Sequence, residues 1–351
     1  MKDITFAVIG SGFMGSLLAR AASELPYTRL IAASDIDIER AQKITTQFGG
    51  KAFAHYEEML SSQHPDAVFI ATPEFDHLGP SLHAAKAGCH IFLEKPIATK
   101  LEDAKHIIDV SHQADIKLML GHILRFEASY ALIHSAIQEG SIGKVLSIFA
   151  RRIASINEAK RLNGRVTPLT YIGVHDIDQM LWYHPVPVKS VYARPLYGRV
   201  SDLLGTYDSA WVMMEFEDGA LGVYEVGWCL PESWARWDKP TSWGGFGDVR
   251  LNVIGTQGNL NLDFTPMDLF GVSLGGWMLP DTRHWPVIHN KVVGAVKLEV
   301  EHFFECIIEN KPPLIRGEDG LRVLEIVLAA ERSIVDHTVV EIDTNDRRDS
   351  R

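Results

Sequence analysis

The chain has 351 residues, enough for about two domains and a substantial buried core. Its net charge of −11 and pI near 5.7, with no long basic run, argue against nucleic acid as a partner. The longest apolar stretches are strand-sized, far short of the roughly 18 to 20 residues that span a bilayer. The first strand begins by residue 4, which leaves no room for a signal peptide's charged and apolar regions. Cys89, Cys229 and Cys306 are too few and too scattered for a disulfide framework or a zinc site. No metal is expected, and a reducing cytoplasm is the default location.

Ile4 to Ile9 reads as a buried strand, Gly10-Ser-Gly12-Phe-Met-Gly15 follows it, and Ser16 to Glu24 reads as a helix. In that setting the glycines form a dinucleotide-binding turn. Gly10 makes the tight turn, Gly12 lets the backbone approach a pyrophosphate, and Gly15 lets the helix lie close on the strand. Phe13 and Met14 complete the cofactor loop, and the phosphates rest on the helix N-terminus. After a second strand, Arg29 to Ser34, comes Asp35, at the distance where a carboxylate hydrogen-bonds ribose hydroxyls and repels a 2′-phosphate. NAD is therefore favoured over NADP. Two alternatives stay open: Asp35 as a cap for the helix starting at Ile38, and Arg40 as a partner for the phosphate of NADP.

Asp66 to Thr72, His90 to Leu93 and Lys117 to Gly121 read as further strands, with helices at Phe75 to Ala87 and Leu101 to Gln113. The alternation predicts a doubly wound parallel sheet over residues 1–123. Ligands of such sheets bind beyond the carboxyl ends of the strands, where Thr72-Pro73, Glu94-Lys95-Pro96 and Gly121-His122 fall. Past residue 123 the pattern changes, and residues 124–351 read as a second α/β domain for substrate binding and oligomerisation. A helix, Ala128 to Glu139, leads to a strand near Val145 to Arg151, a polar loop and a helix beginning about His175. Strands then follow at Val188 to Arg199, Ser209 to Phe216, Ala220 to Trp228, Arg250 to Ile254 and Asn259 to Asp263, separated by turns that suggest an antiparallel sheet. Trp211 and Met213 fall on one face of their strand and Val212 and Met214 on the other, so one face meets helices and the other meets a second subunit. Two helices, at about 300–310 and 319–335, close the chain.

Several motifs together are similar to the glucose-fructose oxidoreductase, inositol dehydrogenase and rhizopine-catabolism family over residues 4 to about 335. They are the glycine turn, Ala71-Thr-Pro73 with His77, Glu94-Lys95-Pro96, Gly121-His-Ile-Leu-Arg125-Phe126, Gly173-Val-His175-Asp-Ile-Asp178 and Gly317-Glu-Asp-Gly320. The resemblance implies a Rossmann domain plus an α/β domain with an open, mostly antiparallel sheet. It also implies NAD(P)-linked chemistry on a sugar or cyclic polyol, and a homodimer or homotetramer. Thr72, Pro73, His77, Glu94 and Lys95 then belong to the cofactor side, and His122, Arg125, Tyr171 and Asp176 to substrate binding. Many relatives carry an aspartate four residues before the motif histidine, where this chain has Tyr171.

The chemistry can also be argued from the residues. Hydride loss from a secondary alcohol needs a group to take the hydroxyl proton and is helped by a cation beside the developing alkoxide. Lys95, at a strand end and followed by proline, suits both tasks, against a reading as an exposed strand-end lysine. His175 opens a helix whose first turn carries Asp176 and Asp178, and the dipole favours the neutral imidazole that a base requires. Tyr171 can exchange a proton but brings no negative charge at neutral pH, so it either shares the proton work or lines the wall. His55, His64, His106 and His112 lack such context and read as surface residues.

Substrate evidence is thinner. Trp228, Trp234, Trp237, Trp243, Trp277 and Trp285 lie in one stretch, suited to a sugar ring or, for most of them, to a subunit interface. Arg151, Arg152, Lys160, Arg161 and Arg165 form a basic patch, with Arg152 a candidate substrate ligand and a solvated surface the alternative. The combined expectation is an NAD-dependent dehydrogenase acting on a ring hydroxyl of a sugar, glycoside or cyclitol. The alternatives are an NAD-retaining enzyme that cleaves a glycosidic bond by transient oxidation, and an NAD-binding regulator without turnover.

Overall fold

The computed structural model describes residues 3–232, 247–264, 269, 271–273, 276–278 and 281–343, the segments 271–273 and 276–278 as backbone only. The elements in chain order begin with β1 Ile4–Ile9, α1 Phe13–Ser23, β2 Thr28–Ser34, α2 Ile38–Phe48, β3 Lys51–Phe53 and α3 Tyr56–Gln63. β4 Ala67–Ile70, α4 Leu78–Lys86, β5 His90–Glu94, α5 Leu101–Gln113 and β6 Leu118–Gly121 follow. The next are α6 Ala128–Gln138, β7 Val145–Ser155, α7 Ile156–Leu162, a π-turn at Leu169–Gly173, α8 Val174–Tyr183, β8 Val188–Leu196 and α9 Arg199–Leu204. Then come β9 Ser209–Phe216, β10 Leu221–Leu230, β11 Asp248–Gly255 and β12 Asn259–Asp263, with short strands β13 Gly271–Ser273, β14 Gly276–Met278, β15 Val287–Ile288 and β16 Lys291–Val292. α10 Ala295–Ile308, α11 Gly317–Asp336 and β17 Val340–Glu341 complete the set. None of the described helices is long and apolar enough to cross a membrane.

The first compact unit contains residues 1–126 and 283–324. Its sheet is parallel in the order β3-β2-β1-β4-β5-β6, which places the reversal of strand order between β1 and β4. β4 and β6 are buried throughout, as continuous apolar runs covered on both faces must be. β3 and α3 are not evident in the sequence. β3 is a three-residue edge strand with an exposed lysine, and α3 is a two-turn helix ended by His64 in the left-handed region (φ 48°).

The C-terminal helices, expected with the second domain, depart from that expectation. α10 belongs to the first unit because it seats Phe303 and Phe304 on the parallel sheet, 5.7 Å from Phe69 and 5.9 Å from Phe6 between ring centres. α11 belongs to the first unit through Leu324 and to the second from Glu325. Sequence periodicity shows that these helices are amphipathic and not which sheet their apolar face meets.

The second unit, residues 127–282 and 325–351, holds a sheet in the order β12-β11-β7-β10-β9-β8-β17. It is mixed: β7 and β10 run parallel and the other pairs antiparallel. On one face Ile148, Ala150, Val212, Met214, Tyr224 and Val226 are buried. On the other, Phe149 lies 6.3 Å from Trp211, with Met213 exposed nearby on β9. Arg151 pairs with Glu225 at 2.7 Å and Lys189 with Glu215 at 3.0 Å.

α7 occupies what reads as a polar loop. Ser155 caps it by accepting from the Asn157 N–H at 3.2 Å, and Asn163 ends it in the left-handed region. α9 is held by Asp208, whose carboxylate accepts from the N–H groups of Gly198, Val200 and Ser201.

Candidate functional site

The glycine turn is built by steric exclusion. A Cβ on Gly10, whose φ is +88°, would stand 2.6 Å from the Ala71 carbonyl carbon, and one on Gly15 would stand 1.9 Å from the Gly10 carbonyl oxygen. Gly12 faces open space, and a Cβ there would intrude on the approach to α1. α1 has no side-chain cap and no carboxylate in its first turn, so its positive end suits a pyrophosphate. These residues fit a dinucleotide.

Asp35 follows β2 and is tied into the loop. Its Oδ2 accepts from the Ser11 N–H at 2.8 Å and its Oδ1 from the Asp37 N–H at 2.9 Å. Asp35 is not the cap of α2, because Asp37 takes that role through the Glu39 N–H. A carboxylate has about four acceptor positions, so Asp35 keeps capacity for ribose hydroxyls. Arg40 pairs with Asp37 at 3.2 Å.

The remaining cofactor-side residues sit at the carboxyl ends of β4 and β5. His77 is fully buried, with Nδ1 2.8 Å from the Pro96 carbonyl oxygen and Nε2 3.1 Å from that of Thr72. Burial pushes the imidazole pKa down, outweighing these carbonyls. The ring thus lies between the Thr72-Pro73 turn and the Lys95-Pro96 turn, whose peptide bond is cis, and in its neutral form donates to one of the two carbonyls. Beside it, burial raises the Glu94 pKa to about 7, with Lys95 opposing. Glu94 packs under Gly121, where a Cβ would lie 3.3 Å from its carboxyl carbon. Lys95 is partly exposed.

His122 and Arg125, expected at the substrate, are both buried. Arg125 donates to the Leu314 carbonyl at 3.3 Å and lies 3.7 Å from Asp319. Burial acts to raise the Asp319 pKa, but Arg125, the Arg316 N–H and Arg322 outweigh it and hold the carboxyl below its usual range. Arg125 therefore anchors the start of α11 to the parallel-sheet unit.

In the second unit the helical run starts at the π-turn and continues into α8, so Tyr171 and His175 lie about one turn apart. Gly173 between them is obligatory, because a Cβ would stand 2.0 Å from the hydroxyl of fully buried Tyr224. A π-turn inside a helix is frequent at functional sites. It also corrects the expected dipole effect, since His175 is not at the N-terminus of the run. His175 is partly exposed.

Arg152 and Asp176, expected to touch substrate, are instead buried and engaged with one another. Arg152 donates to both carboxylate oxygens at 2.7 and 3.0 Å, and to the Tyr130 hydroxyl at 3.0 Å. Burial acts against the guanidinium charge, but Asp176 and Tyr130 raise its pKa overall. This pair fixes the inner face of α8 on β7, leaving His175 on the neighbouring position.

The basic patch is likewise paired. Arg151 meets Glu225 and Asp248, Lys160 meets Glu232, and Arg161 meets Glu158. Trp228 is core and Trp285 packs edge-on to Phe13 at 5.8 Å. Trp234, Trp237, Trp243 and the Trp277 side chain lie outside the described residues. His55, His64, His106 and His112 are exposed. Sequence reasoning missed Arg161 as a neighbour of Tyr171, because the helix that carries it reads as loop.

Residues 4–122 match the profile of the oxidoreductase family with an NAD-binding Rossmann fold, and residues 130–261 match that of the GFO/IDH/MocA C-terminal domain. The chain belongs to the Gfo/Idh/MocA oxidoreductase family. Its cofactor is NAD, for which the glycine turn and Asp35 supply the fitting groups. Among its relatives in the family is the scyllo-inositol 2-dehydrogenase (NAD(+)) of Bacillus subtilis, 27% identical with 97% of each chain covered. Another is the myo-inositol 2-dehydrogenase of Thermotoga maritima, 26% identical over 96% of this chain and 98% of that one. The fold is shared with scyllo-inositol dehydrogenase from Lactobacillus casei, solved with NAD(H) and scyllo-inositol. The TM-score is 0.81 at 23% identity, covering 97% of this chain and 99% of that one.

Proposed function

We propose that this protein is an NAD-dependent dehydrogenase that oxidises a ring secondary hydroxyl of a sugar, glycoside or cyclitol. The observation that carries the reading is the Glu94-Lys95-Pro96 turn, with buried His77 between it and Thr72-Pro73 at the strand ends of a dinucleotide-binding sheet. The names of the full-length relatives, inositol dehydrogenases, support the substrate class. NAD, when bound, supplies the hydride acceptor. Lys95 steadies the developing alkoxide and, with His175 and Tyr171, handles the hydroxyl proton. Asp35 holds the adenosine ribose, and the Arg152–Asp176 pair orients the helix carrying His175.

A panel of sugars and cyclitols, assayed by NADH absorbance, tests this. Release of NADH with at least one polyol is expected, with higher kcat/KM for NAD than for NADP and a narrowed gap in Asp35→Ala. Equal use of the two cofactors would remove Asp35 from its role. A second reading is cleavage of a glycosidic bond by transient oxidation with NAD retained. What supports it is that one relative, of Escherichia coli, is named a 2,7-anhydro-N-acetylneuraminate hydratase and not a dehydrogenase, at 26% identity over 74% of this chain and 68% of that one. Product formation without NADH release would select it, and no turnover on any substrate would select a regulator.

The protein associates with copies of itself through the open face of the second unit's sheet. Its centre, with Phe149, Trp211 and Met213, is an apolar patch of the kind that marks interaction sites. Trp211→Glu is expected to lower the sedimenting mass, and an unchanged mass would discard this face.

A further inference from the structure

Arg161, on α7, donates from Nη2 to the Tyr171 hydroxyl oxygen at 2.6 Å and to Glu158 at 3.0 Å. Its guanidinium carbon lies 5.5 Å from the centre of the Tyr171 ring. A guanidinium offers donors only, so it takes one lone pair of the phenol oxygen and forces the phenol's own proton to be donated elsewhere. A hydrogen bond from a cation also stabilises phenolate over phenol.

Both partners are held. The Tyr171 ring packs on the cluster formed by Ile156, Ala159, Leu162, Val166, Val200 and Trp228, and Glu158 is buried against the core side of α7. α7 carries Glu158, Lys160 and Arg161; Arg161 bonds the phenol and Glu158, and Lys160 pairs with Glu232. β10 presents Trp228 and α9 presents Val200 and Leu204, all apolar, while His175 lies one turn along Tyr171's own helical run. Glu158 offsets part of the Arg161 charge, and the short directional bond to the phenol remains.

We propose that Arg161 is a positioning residue that makes Tyr171 an acid–base group for the substrate hydroxyl. The proposal rests on the dehydrogenase reading above. In oxidation the substrate O–H bond breaks and its proton joins ionised Tyr171. The freed electron pair forms the C=O bond as the carbon's hydrogen leaves with its pair to NAD. Reduction reverses each transfer, with neutral Tyr171 as the proton donor.

The test uses the full-length chain labelled with 13Cζ-tyrosine, the Tyr171 resonance being the one absent in Tyr171→Phe. Tyr171 is expected to titrate below the ordinary tyrosine value of about 10. Its midpoint should rise by about one unit or more in Arg161→Gln and return part-way in Arg161→Lys. In kcat profiles between about pH 6 and 10 for oxidation, one ascending limb should move up with Arg161→Gln and vanish in Tyr171→Phe, with the KM for NAD unchanged. A wild-type midpoint at or above about 10, a midpoint unmoved by Arg161→Gln, or a stationary kinetic limb would overturn the proposal. A midpoint that moves as expected in a protein with no polyol turnover upholds the Arg161–Tyr171 coupling and refutes the dehydrogenase reading.

Discussion

Lys95→Ala and His175→Ala are each expected to lower kcat by about 10²-fold or more, the usual scale for general acid–base catalysis, while the Kd for NAD changes little. Lys95 stands at the carboxyl end of β5 in a turn that lies against buried His77, so truncating its side chain leaves the backbone frame in place. His175 is partly exposed on a helix whose buried face is fixed by the Arg152–Asp176 pair. Lys95→Arg separates the two tasks given to this residue. Arginine keeps the cation but does not release a proton in the accessible pH range, so it restores activity only if Lys95 acts electrostatically. Steady-state kinetics with the best polyol of the panel, beside NAD titration calorimetry, checks this. Activity within about threefold of wild type in either alanine variant, against the scale above, would remove that residue from the mechanism.

Arg152→Leu is expected to destabilise the second unit by about 3–5 kcal/mol, because it leaves the Asp176 carboxylate buried without its cation. The fall in Tm would be roughly 6–20 °C. The double variant Arg152→Leu, Asp176→Leu should recover much of that loss, since the main cost is an uncompensated charge and not the absence of the pair. Differential scanning calorimetry of the wild type, Arg152→Leu, Asp176→Leu and the double variant decides it. A single variant with a Tm within about 2 °C of wild type, against that range, would show that Asp176 finds another partner.

Much of the first unit was legible because its signals are local. Alternating buried strands and amphipathic helices show directly as runs and periods, and Gly10, Gly12 and Gly15 are dictated by a turn in which two added Cβ atoms would collide with backbone. Asp35 was marked by its offset, and Lys95 by its place at a strand end before a proline. β3, α3, α7 and α9 were not, since two-turn helices and a three-residue edge strand carry too few residues for a period. A single polar run such as Ile156–Leu162 becomes a helix through its Ser155 cap and the core its buried residues join.

The amino-acid sequence by itself determined the dinucleotide turn, the parallel sheet and the family motifs. Each depends on residues close together in the chain, where sterics and periodicity act directly. Tertiary structure alone decided that α10 joins the parallel sheet and that β7 and β10 pair in parallel. It also decided which charges are engaged internally. Arg152, Arg125 and Asp176 look like substrate ligands in a linear reading, yet burial requires each to be paired, and the partners are set by contacts across the fold. Tyr171 meets Arg161 for the same reason: the nine residues between them must turn through the end of α7 before the guanidinium reaches the phenol.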